Sequence, residues 1–310
     1  MKRRGYIIRR VLLLFPTILA IYTITFVLMH ATPGGPWSNT GDKPIPPIVL
    51  QRLNQAYGLD KPLWQQYVNY LDHVLHGDFG PSYAQRSLTV SDIIKQAFPV
   101  SFKLGLIAMA IAIVSGVSLG VLGAIKHNTW VDYIASFAAI VGISTPSYVV
   151  VSLLVLILAS HLHLVPTGGW KGAFSSLVII PAIALALYPA AVLARYTRSS
   201  MLDVLKMDYI RTARAKGLRE RRVIVRHAIQ NSLLPVVTVA GLILADVITG
   251  SFFVESIYSV PGLGRYFVQS ITNRDYPVIL GTVLLFGVVI SVMNLIVDLL
   301  YQALDPRIQT

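Results

Sequence analysis

The stretch RYTRSSMLDVLKMDYIRTARAKGLRERRVIVRHAIQN, residues 195–231, separates two apolar segments, and its reading decides the fold. Ten of its residues are basic (Arg195, Arg198, Lys206, Arg211, Arg214, Lys216, Arg219, Arg221, Arg222, Arg226) against three acids, Asp203, Asp208 and Glu220. Lys and Arg gather on the inner side of membranes, so the stretch is placed in the cytoplasm. It is patterned as well as charged. Met201, Leu202, Leu205, Tyr209, Ile210 and Ala213 recur at helical spacing, and Gly217 stands where a left-handed helix stop is needed. A second helical run follows, with Val223, Ile224, Ala228 and Ile229 on its apolar side. Two short helices bent about a glycine predict a protruding elbow that a soluble partner grips.

Working outward, composition agrees with a membrane setting. Hydrophobic residues make up 55% of the 310, charged residues 13%, and the mean hydropathy is +0.65, which excludes an ordinary soluble domain and fits a polytopic membrane protein. The net charge of +12 comes mostly from the segments assigned to the cytoplasm, so no nucleic-acid partner is needed to explain it. The chain has no cysteine, hence no disulfide framework and no Cys-based metal site.

Six spans are predicted, with both termini inside. Residues 1–30 hold a basic start (Lys2, Arg3, Arg4, Arg9, Arg10) and an apolar run at 11–29, longer than the core of a cleaved signal peptide. Residues 31–98 carry five bases and five acids and are read as extracytoplasmic, with amphipathic pieces. One piece has Leu63, Tyr67, Leu71, Val74 and Leu75 on one face, opened by Pro62 and closed by Gly77, and is expected to pack on the spans or lie on the membrane. Residues 99–310 form a five-helix core. Its spans are about 99–125, 133–159, 177–194, 233–253 and 276–300. Ser144, Thr145, Pro146 and Ser147 predict a kink in the second of these five, because proline removes a helical hydrogen bond. Pro181 and Pro189 fall in the third. Asp246 lies inside the fourth, where an acid faces a neighbouring helix or a polar substrate, and Glu255 sits near its outer end.

The span at 99–125 carries small residues at every fourth position (Ala108, Ala112, Gly116, Gly120, Ala124), which lets helix backbones approach closely in lipid. Gly116 to Gly120 also matches the G-x-S-x-G pattern of serine hydrolases. A nucleophilic Ser118 would need a base within reach, yet every histidine falls at a span end or in a loop. An intramembrane hydrolase therefore stands only as an alternative. A self-powered carrier is another, but it calls for repeats and several intramembrane ionisable groups, where only Asp246 and Asp298 are found. The pair His161 and His163 lacks a third metal ligand, and Gly262 and Gly264 lack the context of a nucleotide fold. No phosphate loop, H-E-x-x-H or carboxylate pair is present, so no catalytic and no metal-binding residue is assigned. A six-span bundle with an ordered elbow and no engine reads as a passage driven by another subunit.

At the elbow the chain resembles the permease subunits of binding-protein-dependent ABC importers, in their dipeptide/oligopeptide (and nickel) branch. The residues are Tyr209, Ile210, Arg211, Thr212, Ala213, Arg214, Ala215, Lys216, Gly217 and Leu218, then Glu220, Arg221, Arg226, His227, Ala228 and Asn231 to Pro235. Gly217 holds the glycine of the family's loop. Arg211 stands at its glutamate, Thr212 at its first alanine and Gln230 at its proline, which is similar to the peptide branch's own variant. Likeness continues at Tyr57 to Leu63, Gly77 to Ser82, Thr249 to Glu255, Pro261 to Arg265, Asn273 to Pro277 and Asn294 to Asp298. It closes with Tyr301 and with Asp305, Pro306 and Arg307.

The resemblance implies an all-α integral membrane protein with the type I ABC importer permease bundle and a cytoplasmic coupling helix. It implies a permease that passes di- or oligopeptides, or alternatively nickel, glutathione or oligosaccharide, from an external binding protein into the cytoplasm. Its partners would be a second permease subunit in a heterodimer, two cytoplasmic ATPases that carry ATP and Mg, and the substrate-binding protein. This chain would bind no cofactor itself. The coupling residues would be Asp203, Tyr209, Arg211, Thr212, Ala213, Arg214, Ala215, Lys216, Gly217 and Leu218, with Asp246 and Glu255 as candidates for the translocation path.

Overall fold

The computed structural model describes residues 3–38, 45–85 and 87–304, so Lys2, Asp305, Pro306 and Arg307 lie outside the described residues. Thirteen α-helices order the described chain. They are α1 (Arg3–Ala31), α2 (Pro47–Ala56), α3 (Leu63–Leu75), α4 (Val90–Ile125), α5 (Trp130–Ser144), α6 (Ser147–Leu154) and α7 (Ile179–Leu205), followed by α8 (Asp208–Ala215), α9 (Glu220–Arg222), α10 (Gln230–Ile248), α11 (Phe252–Ile257), α12 (Leu263–Asn273) and α13 (Tyr276–Leu304). Wider π turns occupy Val155–His161 and Val223–Ile229. Among the described residues five stretches are long and apolar enough to cross a membrane, and a sixth if α5 and the helix beginning at Ser147 form one span bent by 105°. Large apolar side chains such as Leu12, Phe15, Val114, Phe137 and Ile140 point away from the protein, as lipid requires.

The chain folds as two compact units, Met1–Pro99 with Pro261–Ser291, and Val100–Val260 with Val292–Thr310. In the first, α3 lays Tyr67, Tyr70, Leu71 and Val74 against Tyr22 and Phe26 of α1 and Tyr276 and Leu280 of α13. It is thus packed on the spans. Leu63 and Leu75, expected on the same face, are 56% and 75% exposed because they sit at the ends of the helix, beyond the contact. Helix α4 starts nine residues before the predicted span, at a cap in which the Asp92 carboxylate accepts from the Thr89 hydroxyl at 2.6 Å and its N–H at 3.1 Å.

In the second unit, the small-residue stripe of α4 packs on α7. A Cβ on Gly116 would meet the carbonyl oxygen of Ala190 at 2.5 Å, and one on Gly120 would meet that of Ala194 at 2.5 Å. The two backbones touch, and only glycine permits it. The glycines therefore serve packing. Ser118 lies exposed in mid-helix, not on the strained strand-to-helix turn of a hydrolase nucleophile.

The bent pair carries the chain across. At the start of α5, Asp132 bonds Arg198, near the end of α7 where Met201 packs on Ala124. After the bend, Val165 packs with Val178, Ile180 and Tyr258 around the opposite end of α7, and the Tyr258 hydroxyl donates to Pro166 O at 2.7 Å. Ile180 and Met201 are about 30 Å apart along one helix at 1.5 Å per residue, so the segment is a broken span and not a re-entrant loop. The bend far exceeds a proline kink. Thr145 and Pro146 are both extended, so the helix stops outright before starting again at Ser147.

Candidate functional site

The elbow is built from three pieces. Helix α7 runs eleven residues past the predicted end of its span, because Met201 and Val204 continue its apolar face onto Ala124. Met207 then turns extended, and α8 begins with Asp208 in its first turn and ends with Arg214 in its last, both favourable to the helix dipole. Gly217 has φ +74°, the Gly217 N–H donates to Arg214 O at 2.9 Å and the Leu218 N–H to Ala213 O at 3.4 Å. This is the paired closure of a glycine-terminated helix, with Leu218 and Ala213 in one apolar cluster.

That cluster decides which face of α8 is available. Ile210 and Ala213 are buried against Val223, Ala228, Met201 and Ala124. Bulk at Ala213 would therefore break this chain's own packing, before any partner is met. Tyr209, placed by spacing on the apolar side, is instead 43% exposed, because the eight residues of α8 bury only a narrow stripe. Exposed too are Asp203 at the end of α7, and Arg211, Thr212, Ala215 and Lys216. Arg214 is committed within the chain. Its guanidinium donates to both carboxylate oxygens of Glu220 at 3.2 and 2.6 Å, across the Gly217 turn. Arg211 lies 3.5 Å from Asp208, an exposed pair worth less than about 1 kcal/mol.

At the 105° break a groove of about 390 Å³ opens, lined by Ser144, Thr145, Ser147, Tyr188 and Asp246 among others. Thr145 spends its hydroxyl on Val141 O at 2.7 Å, closing the end of α5. The Asp246 carboxylate is exposed on α10 and makes no hydrogen bond or ion pair with another described residue. Glu255, the other candidate, is fully buried within the chain, at van der Waals range of Gly250, where a Cβ would meet its Oε1 at 2.5 Å. The enclosed side chain thus lies at the break between α10 and α11.

Two acids that spacing could not single out prove central. Asp132, between two predicted spans, is buried and accepts two bonds from Arg198, at 2.5 and 2.8 Å, with the Asn128 N–H at 3.1 Å. Asp275 is 2% exposed and accepts from the Ser82 hydroxyl at 2.5 Å and the N–H groups of Tyr83 and Ala84 at 3.1 Å each. The only sequence signal for either was a carboxylate just before or just inside a span.

These features define a polytopic helical membrane protein that projects a short, partly exposed helix between its fourth and fifth spans. Residues 116–310 match the binding-protein-dependent transport system inner membrane component, and residues 3–105 match the N-terminal part of such membrane components. The chain belongs to this family. It is 45% identical to the dipeptide transport system permease protein DppB of Bacillus subtilis (strain 168), over 98% of this chain and 97% of that protein. It is 44% identical to the oligopeptide transport system permease protein OppB of Escherichia coli (strain K12), over 98% and 99%. Among solved structures, inward-facing MetNI methionine ABC transporter aligns with a TM-score of 0.59 at 14% identity, covering 69% of this chain and 96% of that one, which speaks to the fold alone.

Proposed function

We propose that the chain is the permease subunit of a peptide importer, passing di- or oligopeptides from an external binding protein to the cytoplasm. The observation that carries this is the near-full-length likeness to dipeptide and oligopeptide permeases. Nickel, glutathione and oligosaccharide are the other cargoes the same architecture would serve. In this reading both termini face the cytoplasm, which is supported by an even count of six crossings when the broken span is included and by the ten bases of residues 195–231. A second permease subunit, as a heterodimer, completes the passage. Two ATPase subunits, binding ATP and Mg, supply the work.

In this reading α8 is the coupling helix. Its buried stripe ties it to α7 and to the π turn at Val223–Ile229, so a push on its exposed residues is carried into two spans. The available contacts are Tyr209, Arg211, Thr212, Ala215 and Lys216, with Gly217 setting the angle. No atom lies within 4 Å of a Cβ built at Gly217, so Gly217→Asp strains only its own backbone, by roughly 1 kcal/mol. Gly217→Asp and Tyr209→Asp are expected to leave insertion and yield intact while lowering substrate-stimulated ATPase and uptake at least about tenfold in proteoliposomes holding the whole transporter. Full uptake by both well-inserted variants would remove the coupling role.

Asp246 is the path residue in this reading, set to meet the ammonium group of a peptide from the groove wall. Asp246→Asn is expected to cut uptake of free peptides about tenfold against their N-acetylated forms, the loss of one charge-assisted hydrogen bond. An unchanged ratio, with altered stability, would make Asp246 a packing residue.

A further inference from the structure

The first unit holds a cleft of about 370 Å³ that neither the elbow nor the groove uses. Its wall is aromatic, made by Phe26, Tyr57, Tyr70, Tyr83 and Tyr276. These rings are held in place. Tyr70 donates to Phe79 O and Pro277 O at 3.2 Å each, Tyr276 donates to Met29 O at 3.3 Å, and Tyr57 packs edge-on against Tyr83 at 4.7 Å between centroids. Gln66 reaches across to Leu59 O and Lys61 O at 3.2 and 2.7 Å, fixing the turn that forms the rim. The cleft is thus built by hydrogen bonds that leave its interior open.

One polar group in the lining remains uncommitted. His30 bonds Phe26 O through Nδ1 at 2.9 Å, and a carbonyl only accepts, so Nδ1 donates and, in the neutral ring, Nε2 is the acceptor. That Nε2 is shielded from solvent and has no partner, although the ring lines the cleft. A buried acceptor left this way is unfavourable until something donates to it. At the rim stand Lys61 and His73, with Gln55 and Asn69 nearby, and none of the described lining residues is a carboxylate. The site therefore offers one buried acceptor, one exposed cation and an aromatic wall, with no carboxylate among its described lining residues.

We propose that this cleft binds the C-terminal residue of a short peptide. The amide N–H donates to His30 Nε2, the carboxylate pairs with Lys61, and the side chain lies on the tyrosine and phenylalanine rings. The identification of the natural ligand as peptide rests on the function proposed above; the chemistry of the site does not. On that reading the cleft lies on the outer face and would hold cargo before it enters the passage.

The test uses the full chain in lipid nanodiscs and three small probes, followed by ligand-observed NMR or calorimetry. N-acetyl-phenylalanine has the N–H, the carboxylate and the ring; its amide lacks the carboxylate, and 3-phenylpropionate lacks the N–H. The first is expected to bind at least about tenfold tighter than either of the others, one charge-assisted or buried hydrogen bond being lost in each. Lys61→Gln, a surface change with no packing consequence, is expected to bring the acid down to the level of the amide and leave the amide unchanged. His30→Phe is expected to erase the advantage of N-acetyl-phenylalanine over 3-phenylpropionate. Equal binding of the three probes, no binding, or a Lys61→Gln chain that still prefers the acid would overturn the site. Peptide uptake by the whole transporter is scored separately, so a chain that binds the probe but carries no peptide sinks the transport reading and leaves the cleft standing.

Discussion

Arg198→Ala is expected to destabilise the chain by about 3 kcal/mol, more than Asp132→Ala, although Asp132→Ala removes the shared bonds and those from Asn128 and His127 as well. The asymmetry follows from burial. The Asp132 side chain is 3% exposed and that of Arg198 is 30% exposed. Without the guanidinium, the carboxylate stays enclosed with only the Asn128 N–H at 3.1 Å and the His127 ring at 3.1 Å to replace two charge-assisted bonds. Without the carboxylate, the guanidinium can turn to water, and the loss is about 1–2 kcal/mol. Replacing both residues by Ala removes the stranded charge and is expected to fall between the singles. Denaturant unfolding of the purified chain in detergent measures all three. Equal losses for the single variants would show that the pair is hydrated in the membrane-embedded protein and contributes little.

The second large effect is expected at Asp275. Its carboxylate collects three donors from residues 82–84, across 193 positions of sequence to Ser82, and fastens the loop before α4 to the start of α13. Asp275→Ala strands the Ser82 hydroxyl, itself fully buried, and the Tyr83 and Ala84 N–H groups. Bonds to an ionised acceptor contribute about 1.5–3 kcal/mol each and are not additive, so a loss of roughly 3–4 kcal/mol is expected. The readout is local. Amide exchange at Tyr83 and Ala84 should rise by about two orders of magnitude, with residues 100–125 of α4 unchanged. Asp275→Asn keeps one oxygen and turns an NH₂ towards the donors, so it should give an intermediate result. Unaltered protection at both amides in Asp275→Ala would mean that other contacts hold the loop. Because Tyr83 also walls the cleft, the same variant should weaken N-acetyl-phenylalanine binding.

Much of the architecture was legible in the residues themselves. The length of each apolar run, the small-residue stripe from Ala108 to Ala124 and the glycine stop at Gly217 all depend on neighbours within a turn or two, and all stand in the structure where the pattern put them. Helix ends were less well placed. Apolar side chains such as Met201 and Val223 extend α7 and the lead into α10 beyond the hydrocarbon-length runs, and hydropathy alone does not register a helix that continues past the membrane. The elbow was found by its charges, yet its exposed face was not: spacing put Tyr209 on the apolar side with Ile210 and Ala213, and of the three only Tyr209 is exposed.

Sequence alone therefore determined the order of the apolar runs and the position of the turn at Gly217, because hydropathy and backbone permissiveness act over a few residues. Only the tertiary structure decided that the run through Pro146 crosses as a broken span, that Glu255 is enclosed while Asp246 is open, and that Asp132 holds Arg198, 66 residues away. Each of those outcomes depends on which distant segment arrives beside a polar group. In a low-dielectric interior, that arrival is what separates a buried structural charge from one left facing a groove.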